Sequence, residues 1–133
     1  MHFTFTKRIY GYECDIYGHL NNANYLPILE AARSEALQEM NVPIQKLLDM
    51  QWHLYVRRFE LDYLKSIQLE DVILVKSTVL TLNKVKSTWM QEFFNSQGEL
   101  CFKAILTVVF AYQGKPARLT PELYDMFDKF VDG

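Results

Sequence analysis

The sequence predicts an α+β domain in which one long helix packs against an antiparallel sheet. Three observations predict it. The chain opens on a short β-branched and aromatic run, FTFTKRIY at residues 3–10. A single long helical run follows, LPILEAARSEALQEM. Beyond residue 54 the period turns from helical to alternating, and four long strand-like runs succeed one another before a short terminal helix. At 133 residues, one domain over 1–133 is expected.

Local chemistry sets each element in turn. Leu29, Ala32, Ala36, Leu37 and Met40 recur at helical spacing and predict a helix to about Met40, with Asn41 near its end. Its start carries opposing cues. Asn24 is a good N-cap residue and would put Pro27 in the first turn, where a missing N–H costs little. Leu26 precedes that proline and is biased away from helix. A short turn near Asn22 followed by the main helix reconciles the two. Pro43 to Met50 adds a short helix. In residues 54–65, Phe59, Leu61 and Tyr63 alternate with Arg58, Glu60 and Asp62, as in a half-buried strand. Residues 71–82, DVILVKSTVLTL, are apolar on both faces, and 87–95, STWMQEFFN, form the next strand. Asn95-Ser96-Gln97-Gly98 has the composition of a hairpin loop. From Leu100 to Tyr112, every second residue is apolar. Thr120-Pro121-Glu122 is an N-cap, a proline and a first-turn acid, opening a helix with Leu123, Met126, Phe127, Phe130 and Val131 on one stripe.

The four long strands are expected in meander order around the one long helix. Ala31, Ala32 and Ala36 would let the sheet approach it closely. An open sheet leaves edges to be covered or paired, and pairing with a second copy is one solution. The net charge of -2 argues against a nucleic-acid partner. With 50% hydrophobic residues but no run near the ~20 that a membrane span needs, the composition is that of a soluble globular protein. Two cysteines, Cys14 and Cys101, are too few for a disulfide framework. The expected location is the cytoplasm.

The chemistry is concentrated in ECDIYGHLNNANY, residues 13–25, which feeds the long helix. A polar loop at a helix N-terminus suits a site where backbone N–H groups hold a carbonyl oxygen. Asp15 is the leading candidate. Beside Cys14 and before Ile16-Tyr17 it stands in partly apolar surroundings, which make a carboxylate a stronger general base; the same residue also suits a turn. His19 can hydrogen-bond a substrate oxygen or fix the loop. Asn21, Asn22 and Asn24 can orient a carbonyl or cap the helix. Gly18 fits a turn of positive φ or a close approach to a ligand. Cys14 as nucleophile would need His19 as its base, and no charge that stabilises a thiolate is evident. Glu30 and Arg33 lie one helical turn apart and most simply pair. His2, His19 and His53 do not cluster with cysteines at metal-ligand spacing.

The string Y-x-C-D-x-x-G-H-L-N-N-A-N-Y-L, followed by L-E-A-A-R, resembles the hotdog-fold thioesterases, above all the group of 4-hydroxybenzoyl-CoA and bacterial long-chain acyl-CoA thioesterases. Asp15, Gly18, His19, Asn21, Asn22, Tyr25, Leu26, Glu30, Ala32 and Arg33 occupy the positions of that pattern. The resemblance implies a hotdog fold, an antiparallel sheet wrapped around one central helix. It implies that Asp15 acts on a thioester as base or nucleophile, with the Asn22 N–H polarising the carbonyl and Gly18, His19, Asn21 and Tyr25 shaping the site. It further implies a homodimer or homotetramer with the site at a subunit boundary, an acyl-CoA substrate and no cofactor beyond it. Arg57, Arg58, Lys65, Lys84 and Lys86 are then candidate partners for the coenzyme A phosphates. An acyl carrier protein as the carrier, a non-catalytic acyl-binding module and a hydratase of the same fold are the competing readings. The G-H-L-N-N string argues against the hydratase. The presence of Asp15 argues against a pure binder.

Overall fold

The computed structural model describes residues 1–132. Its elements run β1 (Phe3–Arg8), α1 (Tyr25–Glu39), α2 (Ile44–Asp49), β2 (Trp52–Tyr63), β3 (Val72–Leu82), β4 (Lys86–Phe94), β5 (Leu100–Tyr112), β6 (Lys115–Pro116) and α3 (Pro121–Asp128). Two single 3-10 turns, Gly11–Glu13 and Asn22–Asn24, flank the polar loop. The five long strands form one antiparallel sheet in the order β1-β3-β4-β5-β2, with the two-residue β6 against β5. No described helix is long and apolar enough to cross a membrane.

The sheet curls around α1, and alternate residues of β4 and β5 are buried on the face towards the helix. The first half of the helix, with Tyr25, Leu29 and Ala32, packs with Phe93 and Phe102. Its second half, with Ala36, Leu37 and Met40, packs with Trp89, Leu106 and Phe110 and is joined by α3. Phe59 of β2 touches both clusters. Ala32 and Ala36 are buried as expected, whereas Ala31 is exposed, on the opposite side of the helix from the sheet.

The strand order departs from a full meander. β3, β4 and β5 follow one another, but β2 pairs with β5 and leaves β3 to pair with β1 on its other side. Alternation tells which face of a strand is buried and says nothing of its neighbour. Residues 64–71 carry the chain across, pinned by the buried Ile67. β2 thus becomes an outer strand, with a bulge between Val56 and Arg58.

α1 starts at Tyr25, earlier than the apolar spacing from Leu29 indicates, and ends at Glu39 with Met40 as its C-cap, close to the expected end, after which Asn41 takes a φ of 63°. The 3-10 turn expected near Asn22 is present. Asn24 stands at the N-cap position, but its side chain does not cap the helix: Nδ2 donates to the Glu13 carbonyl at 2.9 Å. The capping side chain is Asn21, which accepts the Ala23 N–H at 3.0 Å. At α3, Thr120 Oγ1 accepts the Leu123 N–H, and the helix stops at Asp128; Lys129 and Phe130 form a turn, and Val131 then bridges Val79.

Candidate active site

The polar loop is a tight turn held from three sides. The Gly18 N–H donates to the Asp15 carbonyl at 3.1 Å, and the Asp15 N–H donates to the His19 carbonyl at 2.9 Å. Asp15 Oδ1 accepts the Tyr17 N–H at 2.9 Å and the His19 N–H at 3.3 Å, an aspartate closing its own turn. Its second oxygen, Oδ2, has no hydrogen-bond partner among the described residues. Gly18 is at φ 75°, and a Cβ there would meet nothing within 4 Å. The glycine therefore serves the backbone conformation and no close approach within the chain. Ile16 and Tyr17, the apolar neighbours, are 91% and 76% exposed at the tip of the turn, so within one chain they do not shield the carboxylate.

Glu13 fastens this loop to the helix start, a function that nothing in its spacing reveals. It is buried, with Oε1 accepting the Lys7 ammonium at 2.8 Å and the Tyr10 N–H at 2.9 Å. Its carbonyl accepts the Asn21 N–H at 3.0 Å and the Asn24 side chain. The Leu20 N–H donates to the Ile67 carbonyl, and the Leu69 N–H donates to the Gly18 carbonyl, both at 2.8 Å. These bonds bring residues 63–66 beside the loop.

The outcome is a polar cavity of about 380 Å³ that gathers Asp15, His19, Asn22 and Tyr25 with Tyr63 and Lys65. The Asn22 N–H, first in the 3-10 turn that leads into α1, has no acceptor among the described residues. It is one of the orphan donors that every helix start presents. The Asn22 carbonyl accepts the Tyr63 hydroxyl at 3.3 Å. Tyr25 is 3% exposed and packed among Tyr63, Phe93 and Phe102, with ring centroids 4.8, 5.7 and 4.5 Å away. Burial, and after it the neighbouring Tyr63, pushes its hydroxyl up to about 12. Tyr25 is therefore a neutral hydroxyl at any ordinary pH, able to donate to a ligand. Burial, reinforced by Asp15 and Glu13, raises the Cys14 thiol, which disfavours the thiolate that a nucleophile requires.

Of the remaining candidates, all but Lys65 fall outside this cavity. Asn21 caps from behind the turn. Arg57 and Arg58 are exposed at the β2 bulge, Arg58 pairing with Glu60 at 2.9 Å. Lys84 and Lys86 sit at the β3–β4 hairpin, the opposite end of β3 from the loop. Lys65 lines the cavity and pairs with Glu99. The expected Glu30–Arg33 pair is absent among the described residues. Arg33 turns inward and its Nη1 donates to Gln91 Oε1 at 2.9 Å, so burial lowers its pKa while Glu30 opposes the shift.

A helix-centred curled sheet with an acid and a free N–H in one cavity defines a class, and comparison with known proteins agrees with it. Residues 11–127 match the thioesterase-like superfamily model, and the protein belongs to that family. Over 78 residues it is 33% identical to the acyl-CoA thioesterase YbgC of Haemophilus influenzae, a match covering 58% of this chain and 57% of that protein. The matched part is thus little more than half of that relative's length. Over 103 residues it is 27% identical to the long-chain acyl-CoA thioesterase FadM of Escherichia coli, covering 77% of each. A solved DHNA-CoA thioesterase from Staphylococcus aureus has a TM-score of 0.89 over 96% of this chain and 89% of that one, at 22% identity. That likeness shows the fold, the hotdog arrangement.

Proposed function

We propose that residues 1–133 form a single domain that hydrolyses acyl-CoA thioesters to the free acid and coenzyme A in the cytoplasm. The observation that carries this reading is a carboxylate oxygen without a partner, Asp15 Oδ2, sharing one cavity with the free Asn22 N–H at a helix start. The thioester carbonyl accepts that N–H, whose bond strengthens as the oxygen gains negative charge in the tetrahedral intermediate. Asp15 takes a proton from the attacking water, or itself attacks the carbonyl carbon. Collapse breaks the C–S bond, and the coenzyme A thiolate leaves and is protonated; where Asp15 itself attacks, the acyl–Asp15 anhydride so formed is then hydrolysed by water, which releases the free acid and restores the carboxylate. No cofactor is required, because coenzyme A is part of the substrate. His19 and the Tyr25 hydroxyl orient the acyl group, while Gly18 and Asn21 hold the turn and the helix start. Lys65 at the cavity, with Arg57 and Arg58 on the bulge, offers cations to the phosphates.

The reading includes a homodimer, or a homotetramer built from dimers. Tyr12, Ile16 and Tyr17 are 83%, 91% and 76% exposed around the site, and the outer edge of β2 is unpaired. A second copy would cover both.

The test is thiol release from a panel of short, long and aryl acyl-CoA esters. Hydrolysis that peaks at one acyl class is expected. A folded protein silent on the panel but active on acyl carrier protein thioesters would transfer the reading to that carrier. Silence on both would leave an acyl-binding module in its place.

A further inference from the structure

Tyr63 is the last residue of β2, and the sheet decides where its hydroxyl goes. It pairs in register with Phe102 of β5, whose ring centroid is 5.0 Å from its own. Its ring also stands edge-on to Tyr25, at 81° and 4.8 Å. Phe102 is fully buried and Tyr25 nearly so, so two fixed rings set the direction of the phenol. The hydroxyl donates to the Asn22 carbonyl at 3.3 Å. A slip of one residue between β2 and β5 would turn it to the other face of the sheet.

The turn that receives this bond is otherwise held by its own neighbours. Asn22–Asn24 is a single 3-10 turn. The Asn21 N–H and the Asn24 side chain donate to the Glu13 carbonyl, and Asn21 Oδ1 accepts the Ala23 N–H. All of these partners lie within residues 13–24. Among the described residues, the Tyr63 hydroxyl makes the only side-chain hydrogen bond that reaches residues 21–24 from outside that segment. It ties the turn directly to β2. The carbonyl it holds and the Asn22 N–H flank one α-carbon, joined through two soft torsions, so fixing the first restrains the second. A donor that is already aimed needs no reorganisation as charge develops on the oxygen it serves.

We infer that Tyr63 is a positioning residue, whose hydroxyl keeps the Asn22 N–H directed at the thioester carbonyl. The inference rests on the role given above to the Asn22 N–H and not on that of Asp15. It makes the last residue of β2 part of the machinery that polarises the carbonyl, although Tyr63 and Asn22 stand 41 residues apart.

Tyr63→Phe deletes the hydroxyl and keeps the ring against Tyr25 and Phe102, so the variant should melt close to the wild type. The probes are octanoyl and benzoyl ketone analogues of acyl-CoA, with CH2 in place of the thioester sulfur and 13C at the carbonyl, which cannot be hydrolysed. The infrared carbonyl stretch of a probe bound to the wild type is expected below its position in water. In Tyr63→Phe the band should move back towards that position and broaden, with probe affinity altered less than about twofold. In turnover, kcat should fall roughly three- to tenfold with KM little changed, the fold-change that one neutral hydrogen bond supplies. A variant band that coincides with the wild-type band would overturn the inference and leave the role of Asn22 standing. Wild-type bands at the water position for both probes would overturn that role, and the inference with it. Probe affinity falling as far as kcat would show that the hydroxyl touches the ligand itself, and would overturn the positioning role.

Discussion

Gln91 is the most consequential buried polar residue outside the candidate site. It is fully buried on β4, where Nε2 donates to the Leu29 carbonyl at 3.0 Å and to Ser77 Oγ at 2.9 Å, while Oε1 accepts from Arg33. One amide thus ties α1 at two places to β3 and β4. Gln91→Met keeps length and volume and removes all three bonds. Each neutral bond contributes about 1 kcal/mol and the charge-assisted one about 1.5–3 kcal/mol. Sparing the burial of an amide returns about 1–3 kcal/mol. The net loss expected is about 2 kcal/mol, a fall in Tm of roughly 6–10 °C for a chain of this size. Calorimetry on Gln91→Met, Arg33→Met and the double variant measures it. The two sites touch, so the double variant should lose less than the two singles together, with a coupling of about 1 kcal/mol or more. A wild-type melting temperature for Gln91→Met, or strict additivity, would refute the claim that this amide holds the helix to the sheet.

Other predictions concern the loop and its surroundings. Gly18→Ala should destabilise by about 1–2 kcal/mol, the cost of a left-handed conformation for an L-residue, and Gly18→Asn by less; equal stability of all three by urea unfolding would contradict the observed φ. Cys14→Ala should retain most turnover, since its raised thiol is poorly suited to attack; complete loss of rate with the fold intact would restore the cysteine mechanism. Tyr25 has a raised folded pKa, so its contribution is fully present below the unfolded value near 10 and is lost as pH rises through about 12. Urea midpoints at pH 8 and pH 11 should therefore fall more in the wild type than in Tyr25→Phe. Parallel falls would show that Tyr25 is not the group responsible.

The parts of the molecule that were legible in the sequence are those whose information is local. β5 was readable because every second residue from Phe102 to Phe110 is buried against the helix. The 3-10 turn near Asn22 and the left-handed Asn41 were readable because caps and stops are decided within a few residues. Asp15, His19, Asn22 and Tyr25 meet in one cavity largely because they are near one another in the chain. What stayed hidden is long-range. The pairing of β2 with β5 depends on how the whole sheet curls, and alternation cannot encode it. Tyr63 reads as one more apolar strand residue until that pairing carries it to the helix start. Arg33 reads as the partner of Glu30, because helical spacing cannot show a buried glutamine waiting across the sheet. Glu13 and Asn24 look like further polar loop residues, yet they bond to one another and fasten the loop.

The measurement that bears most directly on the account is the rate of thiol release by Asp15→Asn on whichever acyl-CoA the wild type hydrolyses best. The amide keeps the oxygen that accepts the Tyr17 and His19 N–H groups and removes the basic one, so the turn and the fold should persist. Turnover should fall roughly 10²–10⁴-fold, the range a positioned general base supplies, with KM little changed and near-ultraviolet circular dichroism that of the wild type. An undiminished rate in a folded Asp15→Asn protein would contradict the central claim, whatever the substrate.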